Sequence, residues 1–330
     1  MATIRAAGRG FGAFVVFAVF SAAQAAAPAK VVVTIKPVHA LVSQIMSGVG
    51  VPTLVVEGAA SPHTFTLKPS TARAINEADV FIRVSDTLEP FTRKISTSLP
   101  AGVTVLTLAD APGVALLDQR KGGTFEPHRH EAHLLDHDHA VDEAQHEDHA
   151  DHDEDAGGKD GHIWLDPQNA KSIVAVVAKT LAARYPEYAD KISANAAALE
   201  LRLDALDGEL ASALTGARGK PFIVFHDATQ YFEARFGLSA AGSITVSPDV
   251  PPSAKRLTEV RRKISSLHAV CVFTEPSFQP NLVAAVTEGT DARAGTLDAE
   301  GQMLAPGPEL YFELMRGLAH NLTSCLNTPS

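Results

Sequence analysis

The feature that most restricts what this chain can fold into is the run at residues 30–35, KVVVTI. Its consecutive β-branched residues leave no polar face, which suits a strand buried on both sides, and strands of that kind belong to parallel sheets. The sequence then alternates. Pro37-Val38-His39 reads as a turn, and residues 40–46 begin a helix. Residues 51–56 form a second strand, Ser70 caps a helix over STARAINEA, and residues 79–84 form a third strand. A helix near 88–98 and a strand at 103–108 complete the series. The same alternation returns later, with strands at 221–225, 244–246, 269–274 and 294–297. Helices are expected between and after these strands at 227–235, 253–266, 281–288 and 309–322.

Between the two series the hydrophobic period changes to that of a helix. Ile173, Val176, Val177, Thr180 and Leu181 share one face ahead of Pro186. Leu199, Leu203, Leu206, Leu210 and Leu214 then define a helix over 187–215, which at ~1.5 Å per residue approaches 40 Å and can brace two lobes. The expected fold is therefore α/β, with two lobes, each a mostly parallel sheet flanked by helices, joined by a long linking helix. The expected boundaries are 26–160 for the first lobe, 161–216 for the linking helical segment and 217–330 for the second lobe.

Residues 1–25 read as a signal peptide. Arg5 and Arg9 precede an apolar stretch at 11–23 and the small-x-small site Ala23-Gln24-Ala25. The apolar stretch falls short of the ~20 residues that span a bilayer, so export to the periplasm is expected. The net charge of −10, more negative once Arg5 and Arg9 are removed, argues against nucleic acid as a partner. Cys271 and Cys325 are the only cysteines. In an oxidising compartment they can close a disulfide or remain as two buried thiols.

Residues 118–160 break the alternation. Within this segment stand His128, His130, His133, His137, His139, His146, His149 and His152, interleaved with twelve acidic residues between 126 and 155. So little apolar surface cannot offset the entropy of ordering, so a solvated, disordered loop is expected. Imidazole and carboxylate at such close intervals make a weak, multi-site binder of divalent metals.

Directly after this loop comes GHIWLDP at 161–167. Ile-Trp-Leu favours an extended, packed segment, and Asp166-Pro167 reads as an N-cap followed by proline at the first helical position. His162 is thereby fixed where an extended segment meets a helix. His63 and His226 occupy comparable junctions, His63 in the small-residue loop 58–63 and His226 after FIVF. In open α/β sheets ligands bind outside the carboxyl ends of strands. Three imidazoles gathered there would suit zinc, with a carboxylate or water in the fourth position; unrelated core and surface histidines are the alternative. His39, His268 and His320 have no such setting and read as structural or exposed. Protonation of imidazole would weaken metal binding as pH falls towards about 6.

The motifs SPHTFTLKPS at 61–70, GHIWLDP at 161–167, VFHDATQYFE at 224–233, VFTEPSF at 272–278 and GTLDAEG at 295–301 resemble those of the zinc-specific solute-binding proteins of bacterial ABC importers, the ZnuA-type members of the metal-binding cluster. The resemblance runs from about residue 30 to 326, and the acidic histidine-rich insert is typical of that branch. It implies that His63, His162 and His226 are zinc ligands, with Asp298 or water as the fourth. Some zinc members carry a glutamate immediately before the first ligand, where this chain has Pro62. Members of the manganese branch tend to place a carboxylate where this chain has His226.

The resemblance further implies a Cys271–Cys325 disulfide. It implies a monomer that hands Zn2+ to a membrane permease served by a cytoplasmic ATPase, with the histidine-rich loop concentrating or sensing zinc. The alternatives are a manganese or iron carrier, or a periplasmic zinc buffer or chaperone without a transporter. With no H-E-x-x-H or comparable motif, an enzyme is not expected.

Overall fold

The computed structural model of the protein describes residues 29–120, 158–245, 251–276 and 280–328. In chain order, β1 (Val31–Val33), α1 (Lys36–Ile45), β2 (Thr53–Leu54), α2 (Pro69–Asn76), β3 (Val80–Arg83), α3 (Arg93–Ser98) and β4 (Thr104–Thr107) make the first lobe. Two long helices follow, α4 (Pro167–Arg184) and α5 (Ala189–Ala213). The second lobe comprises β5 (Phe222–Val224), α6 (Gln230–Phe236), β6 (Ala240–Ser243), α7 (Ala254–Leu267), β7 (Cys271–Thr274), α8 (Pro280–Thr287) and β8 (Arg293–Thr296). The closing helix is α9 (Leu310–Leu326). The sheets run β2-β1-β3-β4 and β6-β5-β7-β8, and every strand pair is parallel. The two lobes therefore repeat one topology.

The two-residue period of each strand distributes side chains between different cores. Val31 and Val33 of β1, and Val80 and Ile82 of β3, face a large core shared with Phe222, Val224 and Phe273 of the second lobe. Val32 and Phe81 face a separate core closed by Ile75 of α2 and Ile95 of α3. Ile223 and Val272 likewise turn to a core closed by Val260, Ile264, Val283 and Val286 of α7 and α8. The shared core holds the buried faces of α1, α4, α5 and α9. The linking helix thus braces the lobes by packing between them along a length of about 37 Å.

Several local features differ from the sequence-based expectation. Pro37 opens no turn; it lies in the first turn of α1, where its missing N–H and fixed φ are tolerated. Helix α2 begins at Pro69, with Lys68 in the capping position, so Ser70 lies inside the helix and is not its cap. The expected helix near 88–98 is a 3-10 turn at Pro90–Thr92 followed by α3. Ile163–Leu165 is a buried 3-10 turn instead of an extended run. The strand expected at 244–246 lies earlier, at Ala240–Ser243. There small residues of low strand propensity are recruited by pairing with β5, and Ile244 packs beneath α7. Helix α6 starts at Gln230, leaving Asp227 in a turn.

The expected loop 118–160 is ordered at both ends. Gln119 N–H donates to the Gly158 carbonyl at 2.9 Å and Asp160 N–H to the Leu117 carbonyl at 2.9 Å, an antiparallel stem. The disorder expected of the insert, its eight histidines and the expected signal peptide lie outside the described residues. Asp166 does cap α4, accepting the Gln168 N–H at 2.9 Å, with Pro167 at the first helical position.

Cys271 and Cys325 form a disulfide, with Cα atoms 6.2 Å apart, that ties β7 to α9. The cross-link spans 54 residues, for which loop-closure entropy gives about 4 kcal/mol as an upper guide. Replacing both cysteines by serine (C271S/C325S) is expected to lower unfolding free energy by up to that amount in guanidinium titrations. An unchanged midpoint would show that the link adds nothing to a lobe already held by packing.

Candidate metal centre

His63, His162 and His226 arrive from three parts of the chain: the loop after β2, the turn before α4, and the segment that leaves β5. Nε2 of His162 lies 3.3 Å from Nε2 of His63 and 3.4 Å from Nε2 of His226. One donor nitrogen from each ring lies within 4.8 Å of the other two. A tetrahedral ion with bonds of about 2.0–2.1 Å has donor–donor edges of about 3.3–3.4 Å. Two of the three Nε2 separations therefore equal the edge that a small tetrahedral cation requires.

Two carboxylates aim these rings. Asp160 Oδ1 accepts from Nδ1 of His162 at 2.7 Å and from its backbone N–H at 3.0 Å. Glu275 Oε1 accepts from Nδ1 of His226 at 2.5 Å and from its backbone N–H at 3.4 Å. An ionised carboxylate can only accept, so each Nδ1 carries the hydrogen and each Nε2 is left to face the shared centre. His226 follows β5 and Glu275 follows its neighbour β7, at the carboxyl ends of adjacent parallel strands where the strand order reverses. His162 is fixed by its company: Tyr231 donates to the Asp160 carbonyl at 2.8 Å, and Trp164 packs against the imidazole. Arg120, in the stem of the insert, bonds both Asp227 and Glu233 and so ties that stem to the segment carrying His226.

The electrostatics of the centre favour a cation. Burial pushes His63 well below the usual imidazole range, and the neighbouring His162 and His226 add to this. Burial also opposes charge on His226, but Glu275, through its charge and hydrogen bond, together with Glu300 and Asp227, reverses this and holds it at about 9. These acids therefore favour the protonated form of His226 at neutral pH.

Asp298 is not in the group whose donor atoms lie within 4.8 Å of one another. Its carboxylate accepts the N–H groups of Gln302 at 2.8 Å and Met303 at 2.9 Å, so it caps the turn that follows β8. The carboxylate that turn presents to the rings is Glu300, 7% exposed, with Oε1 3.9 Å from Nε2 of His63. Ser61 donates to Oε1 at 3.4 Å and the Gln302 amide to Oε2 at 2.8 Å. Burial raises the Glu300 carboxyl to about 7, against the lowering effects of Gln302 and the histidines.

Sequence reasoning missed Asp160, Glu275 and Glu300. The last two lie in the quoted motifs VFTEPSF and GTLDAEG, and a search for acids just beyond strand ends would have found them. Of the remaining histidines, His39 is buried with Nε2 3.0 Å from the Pro52 carbonyl oxygen, while His268 and His320 are exposed.

This is a two-lobed protein of the metal-holding kind, with its donor set gathered between lobes. A family model described as ZnuA, zinc-uptake complex component A, periplasmic, matches residues 31–325. The high-affinity zinc uptake system protein ZnuA of Brucella suis is 48% identical over 305 residues, covering 90% of this chain and 91% of that protein. The ZnuA of Paracoccus denitrificans is 41% identical over 298 residues, with coverage of 90% and 91%. A crystal structure of ZnuA superposes with a TM-score of 0.71 at 22% identity, covering 91% of this chain and all of the other, which speaks for the fold. The chain belongs to the ZnuA family, whose members are transport components and not enzymes.

Gly161 shows how tightly the first lobe holds His162. A Cβ at this position would lie 2.8 Å from Cβ of Leu88 and 3.2 Å from Oγ of Ser85. Gly161→Ala is therefore expected to cost about 1–3 kcal/mol of stability through overpacking and to weaken metal binding by displacing the adjacent ring. Thermal denaturation and zinc titration of the variant check both; wild-type values in both would contradict this packing account.

Proposed function

We propose that the protein captures one Zn2+ in the periplasm, with His63, His162, His226 and Glu300 as its four donors, and delivers it to the membrane permease of an ABC importer. The observation that carries this reading is the convergence of the three rings: Nε2 of His162 lies at about the edge of a zinc tetrahedron from Nε2 of His63 and of His226, and one donor nitrogen of each ring lies within 4.8 Å of the other two. Three imidazoles and one carboxylate form a borderline-soft set, better matched to zinc than to manganese, which prefers an oxygen-rich shell. Four protein donors close the coordination sphere and leave no position for an activated water, as expected of a carrier. Family membership supports the partner and the compartment, because the related proteins are periplasmic components of zinc uptake systems.

Zinc must displace the proton that His226 holds up to about pH 9. The pH window is therefore wider than free histidine would give. Below about 9 each unit of acidification costs roughly tenfold in affinity for that proton alone, and the loss does not wait for pH 6. Calorimetry near pH 7.5 in buffers of different ionisation enthalpy is expected to give one tightly bound zinc per chain, distinct from any weak binding by the histidine-rich insert, and release of about one proton at the tight site. His162→Ala should abolish the tight site. Binding without proton release, or tight binding that survives His162→Ala, would refute the assignment.

A further inference from the structure

We infer that Lys36 is a positioning residue for the metal centre: it reaches from the first lobe to hold the 298–304 turn of the second, so that Glu300 faces the histidines. This rests on Glu300 being the fourth zinc donor, as proposed above.

Lys36 stands just beyond the carboxyl end of β1, the central strand where the first sheet reverses its order. It is 5% exposed. Its ammonium donates to the carbonyls of Gly301 at 3.2 Å, Gln302 at 2.9 Å and Leu304 at 3.0 Å. A lysine has three donors and no acceptor, so these three bonds satisfy it completely. Burial lowers its pKa, and the charges of Asp298 and Glu300 oppose that loss. A buried ammonium with all its donors spent on one turn of another lobe is a costly way to stabilise a surface loop, because an apolar side chain of similar volume would avoid the desolvation.

The turn is organised from both sides. Asp298 accepts the N–H groups of Gln302 and Met303 from within, and Lys36 binds carbonyls from without. Trp164 adds a third tie, donating to the Ala299 carbonyl at 3.0 Å. Gly301 adopts a left-handed φ of +67°, and a Cβ there would meet Leu310 and Leu314 at 3.2 Å, so the backbone lies close against α9. Glu300 is the residue whose backbone these ties bracket. Its side chain lies 3.9 Å from Nε2 of His63 but outside the group of ring nitrogens within 4.8 Å of one another, so it must move towards the rings to complete a coordination sphere. Lys36 thus sets where the last donor waits without touching the ion. A cation near a dication also repels it, so the inference requires the gain from placing Glu300 to exceed that repulsion.

A double-mutant cycle on the full-length protein tests this, with zinc affinity measured by chelator competition for wild type, K36M, E300Q and K36M/E300Q. If Lys36 acts through Glu300, K36M loses about 10–100-fold in affinity, and the loss disappears in the E300Q background. The visible spectrum of the Co2+-loaded K36M protein should then shift towards that of E300Q. Losses that multiply across the cycle, or a K36M affinity equal to or above wild type, overturn the inference. If K36M does not fold, K36Q replaces it, keeping a donor without the charge; failure of both to fold assigns Lys36 to stability alone and also overturns it. His162→Ala in parallel separates this outcome from a failure of the zinc site itself, since tight binding in that variant refutes the site whatever the cycle shows.

Discussion

The structure depends on two hydrogen bonds between imidazole and carboxylate. Asp160 holds His162 and Glu275 holds His226, each through Nδ1 and the backbone N–H of the same histidine. With the hydrogens drawn to the outer nitrogens, two Nε2 lone pairs point at each other across 3.4 Å. That arrangement is repulsive unless a proton or a cation lies between them. The raised affinity of His226 for a proton and the close approach of its Nε2 to that of His162 are two expressions of the same requirement.

The fold serves that centre by limiting relative motion of the lobes. Alternate residues of both sheets point into one apolar core that also contains the buried faces of α1, α4, α5 and α9. Separating the lobes would expose surface that each sheet shares with the other, including the fully buried Trp164 and Tyr311, whose hydroxyl donates to the Trp164 carbonyl at 2.8 Å. The turn around Glu300 is held in part by polar contacts from elsewhere in the molecule, those of Lys36 and Trp164. Repetition of one strand order in both lobes places two switch points opposite each other: Lys36 issues from one, and His226 with Glu275 from the other.

Much of this was legible in the sequence because it depends on local pattern. Strand runs such as KVVVTI, the leucine repeat of α5 and the Asp166-Pro167 cap each announce themselves within a few residues. The three histidines were legible as residues at strand or loop ends next to helices. The carboxylates that stand beside the rings were not, because an acid beside a histidine in space carries no mark in the chain: Glu275 is 49 residues from His226. Asp298 and Glu300 illustrate the limit, since both lie in one motif, and only the backbone path decides which caps the turn and which meets the rings. Strand β6 was missed because Ala-Ala-Gly-Ser has no strand signal of its own and is ordered by its neighbour.

The central claim is that three imidazole nitrogens and one carboxylate oxygen enclose a single zinc ion. X-ray absorption at the zinc edge, on protein loaded with one equivalent, measures that shell directly. The account predicts four light scatterers at about 2.0–2.1 Å with the multiple-scattering pattern of three imidazoles. A six-coordinate shell at longer distance, or a pattern fitted by one imidazole or none, would contradict it.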